Sequence, residues 1–214
     1  MDSLKINLGS GPRYVSGFVN YDGSIGAVLS KIPGLIKFLK VLRIQDTSAP
    51  DWDPRVKYAL ANKLSHEDNS VDAIYVSHLL EHVHYEKALL ILEEVRRILK
   101  PSGILRICSP DYDQFYKKFQ LDRKTDELKA FISWEIALLS HPLDPPNWIQ
   151  KLRNMLGKHT HLWHPTPGVL IALLKNSGFD LIKEYEFRVG AFPNLSEIEF
   201  RDEFSCYIEA VKAC

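Results

Sequence analysis

Leu4-Lys5-Ile6-Asn7 runs into Leu8-Gly9-Ser10-Gly11, and Asn20-Tyr21-Asp22 follows shortly after. The chemistry this spacing allows is capture of an adenosine. Glycines let a backbone approach a ligand that a Cβ would hold off. A carboxylate at the tip of the next strand can accept both ribose hydroxyls. Gly-x-Gly alone is a common tight turn, so it is the pairing with Asp22 that points to a nucleotide-type cofactor. Pro12 follows Gly11, and the next glycine is Gly17, so the dinucleotide fingerprint is incomplete and NAD is disfavoured. No Gly-Lys-Ser/Thr phosphate loop occurs.

A second set of residues can move protons. Histidine has the right acidity for a general base near neutrality. His78, His82, His84, His141, His159, His161 and His164 are the candidates. His82 and His161 are expected near an acceptor, with His78 closer to the cofactor. His78, Glu81 and His82 stand at i, i+3 and i+4 and share a face if the turn is helical. Such a group can hold a divalent cation or fix a loop by hydrogen bonds. The loop reading is favoured and no metal is expected. Asp111 either binds acceptor hydroxyls or caps the helix that follows it.

The elements that must position these residues alternate along the chain. Strand signals fall at Leu4–Leu8, Phe18–Tyr21, Val56–Ala59, Ala73–Ser77, Ile104–Cys108, Leu181–Phe187 and Cys206–Val211. Between them, Ile25–Leu42 carries apolar residues at helical spacing, with a break at Pro33-Gly34. Tyr85–Leu99 has an apolar stripe of Leu89, Leu92, Val95, Ile98 and Leu99, and Lys100-Pro101-Ser102-Gly103 ends it. Pro167–Asn176 is a third helix. This alternation predicts an α/β domain with a mostly parallel sheet. The stretch 112–162 has helical apolar periodicity and a proline cluster but no strand signal. It reads as a helical insertion after the fifth strand, either a lid carrying acceptor specificity or a packing and dimer element.

The middle and tail of the chain carry a resemblance. Val71-Asp72-Ala73-Ile74-Tyr75-Val76-Ser77-His78-Leu79-Leu80-Glu81-His82 leads into a helix ending Arg97-Ile98-Leu99-Lys100-Pro101-Ser102-Gly103, and Ser109-Pro110-Asp111 follows the next strand. His161-Leu162-Trp163-His164 precedes a helix ending Asn176-Ser177-Gly178-Phe179. This resembles class I S-adenosylmethionine (SAM)-dependent methyltransferases, in particular the small methyltransferase type 11-like subgroup. The resemblance spans nearly the whole chain outside the insertion. It implies a Rossmann-like class I methyltransferase fold with a mostly parallel seven-stranded sheet, one domain over 1–214, and SAM as cofactor. Carried onto this sequence, it places Gly9, Ser10, Gly11, Asp22, Ala59, Leu60, Ser77 and His78 at the cofactor. It also implies methyl transfer to an oxygen, less readily a nitrogen, of a small molecule or a glycan or sugar precursor. The acid that often follows the third strand is absent from Tyr58-Ala59-Leu60-Ala61-Asn62, which leaves the adenine to Asn62 or to backbone near Ala59 and Leu60.

Bulk properties agree. The 214 residues carry 27 Lys+Arg and 27 Asp+Glu, so the net charge is zero and broad nucleic-acid binding is disfavoured. No run suits a signal peptide or a membrane span. Cys108, Cys206 and Cys214 lack metal spacing and read as reduced thiols of a cytoplasmic protein. Self-association through the insertion is compatible with the sequence. The main rival is a catalytically inactive, methyltransferase-like SAM-binding protein.

Overall fold

A computed structural model describes residues 3–41, 51–114, 117, 163, 165–202 and 204–213. Most of the 112–162 insertion, His161 and Cys214 lie outside these residues. The strands are β1 (Lys5–Leu8), β2 (Val19–Asp22), β3 (Lys57–Tyr58), β4 (Val71–Ser77), β5 (Leu99–Pro110), β6 (Phe179–Tyr185) and β7 (Ser205–Lys212). They form one seven-stranded sheet in the order β3-β2-β1-β4-β5-β7-β6. Strands β1 to β5 pair in parallel, and β7 runs antiparallel to β5 and β6. Each strand expected from the sequence is present. The largest shift is in β5, which begins at Leu99 rather than Ile104 because Leu99 already pairs with Val71. The Lys100–Gly103 turn is thus an irregularity inside the strand, with Ser102 in the left-handed region at φ 62°.

The side-chain period of two assigns the strands to two different cores. One face presents Ile6, Leu8, Ile74, Val76, Leu105, Ile107 and Ile208. Helices α3 (Tyr85–Ile98) and α4 (Pro167–Asn176) cover it. Helix α3 buries Ala88, Ile91, Leu92, Val95 and Ile98, one turn apart along one stripe. Helix α4 starts where the Thr166 hydroxyl accepts from the Val169 amide at 3.3 Å, with Pro167 in its first turn. The short helices α1 (Ile25–Leu29) and α2 (Leu35–Val41) flank a break at Gly34, as the proline-glycine pair predicts. Apolar positions over 25–41 are mostly not core: Ala27 and Ile36 are buried, whereas Val28, Ile32, Phe38 and Val41 are exposed.

The opposite face presents Ala73, Tyr75, Cys108 and Tyr207. Its cover comes from two connections. Val15 and Phe18 belong to residues 9–18, which join β1 to β2. Phe192, Leu195 and Ile198 belong to the link between β6 and β7, which includes α5 (Leu195–Ile198). Adjacent parallel strands usually need a crossover of about a dozen or more residues, commonly a helix. Residues 9–18 contain no helix.

Asn20 makes that short link possible. Its amide accepts from Asn7 Nδ2 at 2.9 Å and from the Val15 amide at 3.1 Å, and donates to the carbonyls of Val15 and Phe18 at 2.9 Å each. Asn7 and Asn20 are direct register partners on β1 and β2. Two buried polar side chains are thereby matched, and the loop backbone is held against the strand it enters.

A buried ionic cluster fixes the second cover. Arg106 on β5 is fully buried and grips Glu199 with two nitrogens, at 2.7 and 3.1 Å. Its third nitrogen donates to Glu209 at 3.0 Å, directly across the β5–β7 register, and to the Val189 carbonyl at 2.7 Å. Two carboxylates face one guanidinium. Backbone amides supply the balance: Arg188 to Glu199 at 2.6 Å, and Ala191 and Phe192 to Glu209 at 3.0 Å each. Breaking such a cluster by removing one partner costs about 3–5 kcal/mol, because charge is left buried without compensation. Arg106→Met is therefore expected to lower unfolding free energy by about 3–5 kcal/mol, measured by urea denaturation followed by circular dichroism.

Candidate active site

The carboxyl ends of β1, β2 and β4 converge, and most of the candidate residues lie there. Leu8 pairs with Tyr21 on one side and Val76 on the other, so the turns after these strands sit side by side. Gly9 and Gly11 adopt φ of 75° and 60°, a left-handed conformation open to glycine and strained for most side chains. The amides of Gly9 and Ser10 both donate to the Tyr21 carbonyl, at 2.8 and 3.0 Å. A Cβ on Gly9 would meet Leu79 Cβ at 3.1 Å, whereas one on Gly11 would meet nothing within 4 Å. The glycine turn is thus packed against the β4 turn on one side and open on the other.

Asp22 ties this turn to the end of β2. Its Oδ2 accepts from the Gly11 amide and its Oδ1 from the Ser24 amide, each at 2.8 Å. An ionised carboxylate has about four acceptor sites, so each oxygen keeps one for a ligand hydroxyl. The Asp22 carbonyl accepts from the Ala59 amide at 3.1 Å, which brings the end of β3 alongside. Leu60 is exposed there. Residues 60–63 then form a turn with Lys63 N donating to the Leu60 carbonyl at 3.0 Å. Within that turn the Asn62 side-chain oxygen is shielded from solvent and has no hydrogen-bond partner.

The β4 turn carries the titratable groups. Ser77 is the last residue of β4, opposite Cys108. His78 follows at φ 47°, with its amide donating to the Cys108 carbonyl at 2.9 Å. Leu80–His82 form a single 3-10 turn. Glu81 is wholly buried, and its Oε1 lies 3.1 Å from His78 Nδ1, out of line for a good hydrogen bond. Both Glu81 oxygens and His78 Nε2 lack an aligned partner. Burial opposes a charged imidazole, but the contacts with Cys108 and Glu81 outweigh it and carry the His78 pKa up to about 9.

His78 and Glu81 therefore meet, as their spacing suggests, while His82 packs half-buried in the same turn. No group of three or more His, Cys, Asp or Glu among the described residues is arranged to hold a metal ion. Asp111 Oδ1 accepts from the amides of Asp113 and Gln114, at 3.0 and 3.1 Å, which is a helix-capping arrangement. Ser109 Oγ, one residue beyond Cys108, is buried without a partner. Sequence reasoning missed Trp163. Its indole donates to the carbonyls of Leu80 and Val83, at 2.8 and 3.0 Å, and so clamps the turn that holds Glu81. The signal was its place in His161-Leu162-Trp163-His164, just ahead of helix α4.

Residues 36–107 match a family model described as a methyltransferase domain. No curated protein matches the sequence. Among solved structures, a SAM-dependent methyltransferase from Thermotoga maritima, a possible histamine N-methyltransferase, is 15% identical. The match covers 99% of this chain and 83% of that one, with a TM-score of 0.51. A SAM-dependent methyltransferase from Methanosarcina mazei is 17% identical over 100% of this chain and 94% of that one, TM-score 0.52. One from Archaeoglobus fulgidus is 16% identical over 98% and 86%, TM-score 0.50. At these identities the likeness is one of fold.

The His78–Glu81 contact has a pH signature. The folded imidazole keeps its proton to about 9, whereas the ordinary value is 6.5. The contacts of His78 with Cys108 and Glu81 thus stabilise the fold fully below pH 6.5, and that contribution fades as pH rises through about 9. His78→Asn, a residue tolerated at positive φ, is expected to be less stable than the native chain at low pH. The gap in urea midpoint should narrow between about pH 6 and pH 10.

Proposed function

We infer that this chain is a class I SAM-dependent methyltransferase, a reading supported by its match to a methyltransferase-domain model over residues 36–107 and by its fold, and that it transfers a methyl group from SAM to a hydroxyl oxygen, less readily a nitrogen. The acceptor is a small molecule or a glycan or sugar precursor. One observation carries the cofactor half of this reading: the left-handed glycine turn and the Asp22 carboxylate are joined by the Gly11 amide at 2.8 Å. That arrangement suits SAM. Gly9, Ser10 and Gly11 present backbone to its methionine and ribose portion, and the two remaining acceptor sites on Asp22 match the ribose diol. Ala59 and Leu60 flank the adenine, and the orphaned Asn62 oxygen meets its amino group. This replaces the acid that is missing after β3.

SAM supplies a methyl group activated on a sulfonium. The protein's task is alignment, desolvation and proton management. Ser77 and His78 face the reacting end, and His82 stands in the same turn. Asp111 keeps Oδ2 for an acceptor hydroxyl while Oδ1 caps its helix. The 112–162 segment is assigned the role of acceptor lid, with His161 at its end. Two buried free thiols, Cys108 and Cys206, fit a reducing cytoplasmic setting.

Calorimetric titration with S-adenosylhomocysteine tests the reading. Micromolar binding is expected, and Asp22→Ala should weaken it at least about tenfold, or 1.4 kcal/mol. The variant's unfolding curve without ligand separates loss of a contact from loss of the loop. Binding with no turnover on a panel of sugars, nucleotide sugars and small alcohols and amines would favour an inactive SAM-binding protein instead. No binding by the native chain would sink the proposal.

A further inference from the structure

We propose that His78 and Glu81 form a carboxylate–imidazole dyad that removes the acceptor's proton during methyl transfer, with Glu81 holding Nδ1 and Nε2 presented to the acceptor. The proposal rests on the methyl-transfer reading and assigns the base to His78 rather than to His82 or His161.

Three features of the β4 turn carry it. First, Glu81 is a wholly buried carboxylate with no cation beside it other than the imidazole at 3.1 Å, and neither of its oxygens has an aligned donor among the described residues. Burying a carboxylate is costly unless it is paired and hydrogen-bonded, and the imidazole is the one partner on hand among the described residues. A loop fastener would show backbone amides on Glu81, as Glu199, Glu209 and Asp22 do. Second, His78 Nε2 is buried and unpartnered, whereas buried ring nitrogens ordinarily find a partner. Third, His78 stands in the left-handed region without being glycine or asparagine. Local strain of this kind persists only where the surroundings enforce it. Here the enforcement is visible: the His78 amide is tied to β5, and Trp163 clamps the Leu80–Val83 carbonyls. Leu79, the next residue, touches the glycine turn, so the imidazole is held at the end of the sheet where the methyl donor is proposed to bind.

The step balances. The acceptor hydroxyl gives its proton to Nε2, and its oxygen pair forms the new bond to the methyl carbon. The sulfur–methyl bond breaks with its pair going to sulfur, leaving neutral S-adenosylhomocysteine and an imidazolium. Glu81 stabilises that imidazolium. The groups facing His78 are Glu81 from the turn and Cys108 from β5, with Tyr112 behind Glu81. Left to these, the imidazole holds its proton near neutral pH. A sulfonium beside it opposes that charge and returns the ring to its basic form once the methyl donor is bound.

This gives a test that needs no acceptor. The probes are SAM, which is cationic at sulfur, and S-adenosylhomocysteine, which is not. The His78 ring is followed by nitrogen-detected NMR titration, its signal assigned by its loss in His78→Asn. With S-adenosylhomocysteine bound the midpoint is expected to stay near the ligand-free value of about 9, and with SAM at least about two pH units lower, which frees the base near neutrality. Above that midpoint the ring nitrogen shifts should place the remaining proton on Nδ1. Glu81→Gln should bring the midpoint down towards or below 6.5. If that variant does not fold, the native chain's tautomer decides Glu81's part. Equal midpoints with both ligands, or a proton on Nε2, would overturn the dyad while leaving the cofactor site intact. Failure of both ligands to bind by calorimetry would remove the methyl-transfer reading, and the dyad with it.

Discussion

Residues 9–18 must carry the chain between two neighbouring parallel strands without a helix, and much of the molecule follows from that constraint. A link this short must stay flat against the strand ends, and Asn20 enforces this by matching four hydrogen-bonding groups at once. The glycine turn is thereby drawn onto β2, where its amides reach the Tyr21 carbonyl and the Asp22 carboxylate. Pre-organisation of the turn costs little further ordering when a ligand arrives. The same shortness leaves part of one sheet face without the helix a longer crossover would have supplied.

The β6–β7 link makes good that deficit. Phe192, Leu195 and Ile198 pack over Tyr75 and Tyr207, where a crossover helix would otherwise lie. A loop in that role carries backbone polar groups that must be satisfied. Arg106, Glu199 and Glu209 satisfy several of them, the guanidinium being shared by two carboxylates whose remaining charge is met by backbone amides. The ionic cluster thus contributes less as a source of net stability than as a means of fixing one conformation of an irregular segment. Gly190 belongs to this solution: a Cβ there would fall 2.1 Å from Glu209 Oε1.

The legible parts of the chain were those governed by local periodicity. All seven strands and the helices Tyr85–Ile98 and Pro167–Asn176 follow from alternation, capping and proline-glycine punctuation. Asp22 was legible because its partner turn lies close in sequence. The ionic cluster was not, since Arg106, Glu199 and Glu209 meet only through an antiparallel pairing and a returning loop, and each alone reads as a surface charge. The apolar periodicity of Ile25–Leu42 foretold the two short helices and their break at Gly34 but not what covers them, and Val28 and Ile32 remain exposed. His78 and Glu81 were legible as neighbours, but the turn that carries them is held by the Trp163 indole, some eighty residues on.

The two halves of the site are built by different physics, and this explains why they differ in how much they say about the reaction. The proposed cofactor half is mostly backbone: glycine φ values, strand-end amides and one carboxylate fixed by two of them. Such a half depends on topology, so the strand order speaks to it, whereas the domain match over residues 36–107 begins beyond Asp22. The proposed acceptor half is made of a few buried side chains on and beside a single 3-10 turn, whose charge state is set by neighbours within about one residue's reach. A single substitution there, at Glu81 or at the Trp163 that clamps it, would change proton affinity without moving a strand. Acceptor chemistry in this chain is therefore free to diverge while the sheet and the glycine turn stay as they are, because the constraint that fixes the one leaves the other untouched.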